Sequence, residues 1–293
     1  MNVLILKLGA AGDVVRTTTL LRRIDGAVTW ITAARNAVLL TGIDRELRCF
    51  SWEERLLAVD RSYDLVINLE DDLEVSSYLR DVKYRRVFGA FLNGRNDVEY
   101  TDDSRRWFDL SLISVHGREA ADQLKLRNRS TYQELVFDGL GLAFSGENYF
   151  LPHTVPTGLQ GDVAFAPVAG PVWPMKAWAY YDELRRELEA RGLKVNVLPK
   201  RPSLIEHLAD VRGHRCLVSG DSLPMHLALG SGVGCVSIFT CTSPWEIHDY
   251  GLQTKLVSPL LEEFFYKRGF DPRATKAISL DEVLAATLKH VQS

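Results

Sequence analysis

The amino-acid sequence predicts an α/β protein of two parallel-sheet domains facing each other across a cleft. Three observations carry that prediction. Val3 to Leu8 is an apolar run that passes through Gly9-Ala10-Ala11-Gly12-Asp13 into a helical pattern. Leu217 to Pro244 repeats the theme as strand, tight turn, helix, strand and a Thr/Ser-rich loop. Between and around them, short apolar runs alternate with helical periods along 293 residues, a length that suits two ordinary domains. Strand-to-helix turns of this kind are the nucleotide-binding element of Rossmann-like domains.

The elements follow in order. Val3 to Leu8 reads as a strand buried on both faces, because only Lys7 interrupts its apolar side chains. A helix is expected from about Asp13 to Ile24, then strands at Ala27 to Thr32 and Asp64 to Asn68. Gly89 to Arg129 is irregular and charge-rich, with Arg95, Arg105, Arg106, Arg118, Lys125, Arg127 and Arg129 interleaved with Tyr100, Trp107 and Phe108. Tyr132 to Leu140 returns to helix. Leu151 to Gly158, with two prolines and a glycine, is the linker and a candidate hinge. The expected domains are residues 1–155 and 156–278, with 279–293 as a last helix packing back on the first domain.

In the second half, strands are expected at Val163 to Ala166, Lys194 to Leu198, Cys216 to Ser219 and Cys235 to Phe239. Lys176 to Arg191 places Trp178, Tyr181, Leu184 and Leu188 on one helical face, with Gly192 set to end it. Ser203 to Val211 and Pro224 to Gly230 are further helices, and Ser279 with Glu282 forms a capping box for the last one.

Composition excludes several functions. A net charge of −3 does not supply the dense basic surface that nucleic-acid binding needs. Cys49, Cys216, Cys235 and Cys241 lack C-x-x-C spacing, so neither a zinc site nor a disulfide framework is expected. No metal is expected. No apolar run reaches the roughly 18 residues of a membrane span. The N-terminal run lacks a charged region before it and does not read as a signal peptide. The cytoplasm is the expected location.

The chemistry concentrates at two turns. In the first, Gly9 and Gly12 let backbone approach a ligand at a helix start. The turn is not the G-x-G-x-x-G dinucleotide fingerprint. Asp13 is either an ordinary acidic residue of a first helical turn, or a general base at the carboxyl edge of a sheet. In the second turn, Gly220 ends the strand, and a helix begins near Pro224 whose free amides suit a phosphate. Asp221 and Ser222 either bond a sugar or cap that helix. His226, one turn on, is a structural or a ligand-facing histidine. Thr242, in the loop Thr240-Cys241-Thr242-Ser243-Pro244, adds a hydroxyl to the same edge. The Arg-rich stretch is either a solvated loop or a pocket for anionic groups, since arginine forks suit carboxylates and phosphates.

Taken together, K-L-G-x-x-G-D-V-V at Lys7 to Val15, W-P-x-x-x-W at Trp173 to Trp178, and S-G-D-S-x-x-M-H-L-A at Ser219 to Ala228 with Thr242-Ser243-Pro244 closely resemble glycosyltransferase family 9. These are the ADP-heptose:lipopolysaccharide heptosyltransferases and their relatives. The resemblance spans almost the whole chain and implies a GT-B fold. It implies inverting, metal-independent transfer of a sugar, most simply heptose from ADP-heptose, to a hydroxyl of a glycan or small-molecule acceptor. The nucleotide sugar is then a co-substrate and no cofactor is needed. A lipid-linked acceptor would bring peripheral membrane association.

By the same resemblance Asp13 is the catalytic base. Gly220, Asp221, Ser222, Leu223, His226, Lys176, Thr242 and, as a weaker match, Glu206 lie on the donor side. Gly9, Gly12, Arg16, Arg105 and Arg106 are assigned to the acceptor side. The chain departs from the family pattern at three positions. Pro171 stands where a phosphate-contacting lysine is common, with Lys176 five residues on. Leu223 replaces a glycine, and Arg16 a histidine. These departures leave open another nucleotide sugar, hydrolysis or epimerisation of one, or a non-catalytic binding homologue.

Overall fold

The computed structural model describes residues 1–292, and it divides into two compact units, Met1–His153 and Thr154–Ser293. In the first unit the strands are β1 (Asn2–Leu6), β2 (Ala27–Thr32), β3 (Leu47–Ser51), β4 (Ser62–Tyr63), β5 (Leu65–Asn68), β6 (Lys83–Tyr84), β7 (Val87–Leu92) and β8 (Val98–Tyr100). Its helices are α1 (Ala11–Thr17), α2 (Leu73–Tyr78), α3 (Arg105–Phe108), α4 (Arg118–Arg127) and α5 (Tyr132–Gly139). The main sheet runs β3-β2-β1-β5-β7-β8, while β4 and β6 pair separately. It is parallel except for β8, which returns antiparallel along β7 and closes the edge.

β1 is central, and its alternation serves both faces. Val3 and Ile5 join one core with Trp30, Phe88 and Val136, while Leu4 and Leu6 join another with Ile31, Val66 and Val75. A strand buried on both faces needs the continuous apolar run the sequence shows.

The second unit holds a sheet in the order β10-β9-β11-β12-β13, parallel throughout. Its strands are β9 (Gly161–Ala166), β10 (Val195–Val197), β11 (His214–Gly220), β12 (Gly234–Phe239) and β13 (Gln253–Val257). The helices are α6 (Tyr181–Glu189), α7 (Leu204–Arg212), α8 (Leu223–Ser231), α9 (Leu261–Phe264), α10 (Pro272–Lys276) and α11 (Leu280–Gln292). Val163, Phe165, Val218 and Val236 pack against Leu184 and Leu188 of α6.

Three sequence expectations are corrected. The long helix from Asp13 stops at Thr17 and tightens into a 3₁₀ turn over Thr18–Arg22. The hydroxyls of Thr17, Thr18 and Thr19 each donate to a carbonyl three or four residues back, a local competition that deforms an α-helix. The helix expected from Lys176 starts only at Tyr181, because the Ala179 amide is taken by the Thr275 carbonyl. Trp178 is instead a core residue, its indole N–H donating to the Ile278 carbonyl at 2.9 Å.

The last helix, α11, belongs to the second unit's core. Val283, Ala286 and Val291 of α11 fill the second unit's core, and the Ser279–Glu282 capping box starts the helix there. The irregular Arg-rich stretch contains a regular part, the β7–β8 hairpin, whose turn places Asn96 at a φ of 67°.

Candidate functional site

Two groups of side chains stand at the carboxyl edges of the two sheets, where open parallel sheets bind ligands. In the first unit, β1 ends at Leu6, and the turn Lys7 to Ala10 leads into α1. Asp13 lies in the first turn of α1, whose N-cap residue, Ala10, supplies no side-chain cap. The Asp13 carboxylate pairs with Arg16 at 2.8 Å and remains a third exposed.

Arg16 is buried. Its guanidinium lies 4.1 Å from the ring centroid of Tyr132 and 5.6 Å from that of Trp107. Cation–π contact with two aromatic rings fixes the fork that holds Asp13. Tyr132 is pinned in turn, its hydroxyl 2.6 Å from Thr17 Oγ1. Burial pushes its phenol above the ordinary value, although Arg16 and Lys7 pull the other way.

Lys7 is also buried, with Nζ 2.9 Å from Glu70. Burial opposes its charge, but the carboxylates of Asp13 and Glu70 outweigh that and raise its pKa. A β-carbon at Gly9 would meet nothing within 4 Å, so the space above the turn is open.

In the second unit, β11 ends at Gly220 and α8 begins at Leu223, with Pro224 in its first turn. Ser222 is the N-cap residue, yet its hydroxyl turns back to the Gly220 carbonyl at 3.3 Å, and no side chain caps α8. In the first turn of this nine-residue helix Pro224 has no amide N–H, and the Met225 amide donates to the Ser222 carbonyl at 3.1 Å. Asp221 binds Lys176 instead. Lys176 Nζ is 3.0 Å from both the Asp221 carboxylate and its carbonyl, and 5.2 Å from the centroid of the Trp173 ring.

Burial raises the Asp221 pKa, but the charge of Lys176, the nearby His226 and the hydrogen bond from Lys176 reverse this and bring it to about 2. Asp221 is therefore a permanent anion at neutral pH. Gly220 is required here for space: a β-carbon would stand 2.8 Å from the Lys176 carbonyl. The cavity in front measures about 220 Å³ and is lined by Ala166, Gly170, Trp173, Lys176, Gly220, Asp221 and Ser222 among others. Whole small-molecule sites run to about 300–1,000 Å³, so this cavity suits part of a ligand, such as a sugar or a phosphate pair.

The remaining expected residues fall elsewhere. His226 and Thr242 are both buried, and neither lines the cavity. Leu223 is the first residue of α8 and Gly12 lies in the first turn of α1. Glu206 is exposed in the first turn of α7. Arg105 and Arg106, on α3, are half-exposed and pair with Asp102 and Asp138. Pro171 is exposed. Glu70 was not singled out from sequence; it reads as one of three acidic residues in Glu70-Asp71-Asp72, and nothing local reveals its contact with a turn 62 residues away.

No family model matches the chain, and no curated protein matches it in sequence. Solved structures do. A family 9 glycosyltransferase from Veillonella parvula superposes with a TM-score of 0.68 at 16% identity, covering 99% of this chain and 97% of that one. The chain has the fold of the family 9 glycosyltransferases. Within that GT-B fold, the E. coli heptosyltransferase WaaC with ADP gives a TM-score of 0.63 at 16% identity, over 99% of this chain and 100% of that chain. E. coli ADP-heptose lipopolysaccharide heptosyltransferase II gives 0.62 at 14%, over 100% and 99%. The iron-containing dodecameric glycosyltransferase TibC of enterotoxigenic E. coli is also similar, at a TM-score of 0.58 and 11% identity, over 99% of this chain and 76% of that one. Among the described residues, no three His, Cys, Asp or Glu side chains are grouped to hold a metal ion, and no helix is long and apolar enough to cross a membrane.

Proposed function

We propose that the protein is an inverting glycosyltransferase that moves a sugar, heptose from ADP-heptose, onto a hydroxyl of a glycan or small-molecule acceptor. The observation that carries this reading is the Lys176–Asp221 pair beside the uncapped start of α8. A cation beside the positive end of a helix suits the diphosphate of a leaving nucleotide. An ionised carboxylate beside them suits the hydroxyls of the transferred sugar. Lys176 supplies the positive charge that Pro171 cannot.

In this reading Asp13 accepts the proton of the acceptor hydroxyl as the oxygen attacks the anomeric carbon. The carbon–oxygen bond to the diphosphate breaks as the new bond forms, with inversion, and the nucleoside diphosphate leaves as an anion. The leaving group needs charge stabilisation rather than protonation, and no metal or further cofactor enters. Two of the similar structures bear on the donor, since their names record ADP or ADP-heptose. The reading places the protein in the cytoplasm, with peripheral membrane contact where the acceptor is lipid-linked.

Incubation with ADP-heptose and a panel of glycan acceptors tests it. ADP release that depends on acceptor, with a product of inverted anomeric configuration, is expected. Turnover only with another nucleotide sugar would replace heptose. Donor binding without transfer to any acceptor would favour a non-catalytic homologue, a reading the Asp13–Arg16 pair supports because it blunts the proposed base.

A further inference from the structure

The turn that carries Asp13 is fastened from the side by one carboxylate. Glu70 lies two residues beyond β5, the strand next to β1. Its Oε1 accepts the Leu8 amide at 2.7 Å and the Gly9 amide at 3.4 Å, and the same atom stands 2.9 Å from Lys7 Nζ. Lys7 donates as well to the Leu69 carbonyl at 3.3 Å. Glu70 is itself held: its amide donates to Asn68 Oδ1, and Asn68 Nδ2 donates to the Ala90 carbonyl of β7. The two side chains of the ion pair are only 10% and 15% exposed.

A carboxylate this enclosed, bonded to two backbone amides and an ammonium, fixes the turn more firmly than a surface ion pair would. α1 has no side-chain cap of its own, so the placement of its first turn, and of Asp13 within it, is inherited from the turn before.

The geometry points to Glu70 as a positioning residue for Asp13, holding the Lys7 ammonium and the Leu8 and Gly9 amides so that the base keeps its place. This rests on the reading of Asp13 as the base. Two effects are combined in one side chain and separate by substitution. Glu70→Gln keeps an oxygen for the amides but removes the charge opposite Lys7. Glu70→Ala removes both. The groups that act on Asp13 are then Lys7 from the turn, Arg16 from its own helix and Tyr132 from α5. With Glu70 neutral, Lys7 acts on Asp13 uncompensated and favours its ionised form.

The test is a kinetic panel of wild type, Asp13→Asn, Glu70→Gln and Glu70→Ala with the same donor and acceptor. ADP titration and hydrogen exchange over residues 7–13 are read alongside. Glu70→Ala should lose about 10–100-fold in kcat, the cost of a small misplacement of a reacting group. Its ADP affinity should stay at the wild-type value, and exchange at residues 8 and 9 should quicken. Glu70→Gln should keep most of kcat, while the acid limb of its kcat/KM profile moves to lower pH. Loss in Asp13→Asn with wild-type kcat and pH profile in both Glu70 variants would overturn the inference and leave the base in place. Full turnover in Asp13→Asn would overturn the base itself. Should Glu70→Ala fail to fold, Glu70→Gln decides alone: an unmoved pH profile and unmoved exchange reject the positioning role.

Discussion

Asp13 and Asp221 are both acidic residues at helix starts, and a cation holds each carboxylate, Arg16 the first and Lys176 the second. Asp13→Asn should lower turnover by roughly 10²–10⁴-fold, the usual worth of a positioned base, while the fold stays intact. A stopped assay of ADP release and a thermal melt on the same sample check this. Near-normal turnover with a lowered melting point would make Asp13 structural. Asp221 gives a pH prediction. Its folded pKa of about 2 lies below the ordinary 3.8, so its contribution to stability is complete above about pH 4 and lost as pH falls through 2. The shift corresponds to on the order of 2 kcal/mol. Urea unfolding of wild type and Asp221→Asn should differ most at neutral pH and converge toward pH 2. A gap that stays constant with pH would mean that the ion pair with Lys176 contributes nothing. Both carboxylates were legible from sequence because each follows a strand through glycine into a helix. Glu70 was not, because its partners belong to a turn far back in the chain and only the pairing of β1 with β5 brings them together.

Local pattern sufficed for the strands: β2 spans Ala27–Thr32 as expected, and β9, β11 and β12 fall within a few residues of their apolar runs. It failed where tertiary contacts decide. Three threonines in a row compete for the α1 carbonyls, and the Thr275 carbonyl delays the start of α6; neither signal is visible in a helical period. That delay has a functional side. The 3₁₀ turn Pro174–Lys176 passes directly over the end of β11, which delivers Lys176 to Asp221 and leaves no room for a side chain at Gly220. Gly220→Ala should push the two segments apart, because its β-carbon would meet backbone rather than a flexible side-chain end. We expect ADP affinity to fall roughly ten-fold, equivalent to about 1.4 kcal/mol. Isothermal titration reads this directly. An unchanged dissociation constant would show that the Lys176 turn yields at no cost, and that its closeness to β11 does not set the site.

At the scale of the whole molecule, each unit has a complete parallel sheet and a core of its own. The first is built around Trp30, Phe88 and Val136, the second around Phe165, Leu184 and Val236. α11 strengthens the second core, since Val283, Ala286 and Val291 add to it residues from the far end of the chain. The proposed donor-side groups Lys176, Asp221, His226 and Thr242 all belong to this unit, and the proposed base, Asp13, belongs to the other. A core with its own hydrophobic residues and sheet is the condition for independent folding. Residues 154–293 expressed alone should therefore fold, bind ADP with the affinity of the full chain, and transfer nothing, because Asp13 is missing. Circular dichroism with a cooperative melt, titration with ADP, and an assay of sugar transfer test the three parts separately. Trp178 makes the fold readable, since its buried indole bonds Ile278 at the approach to α11 and its fluorescence should match that of the intact protein. A fragment that is unfolded, or folded yet unable to bind ADP while the full chain binds it, would show that the second unit depends on the first. In that case the donor site could not be assigned to residues 154–293 alone.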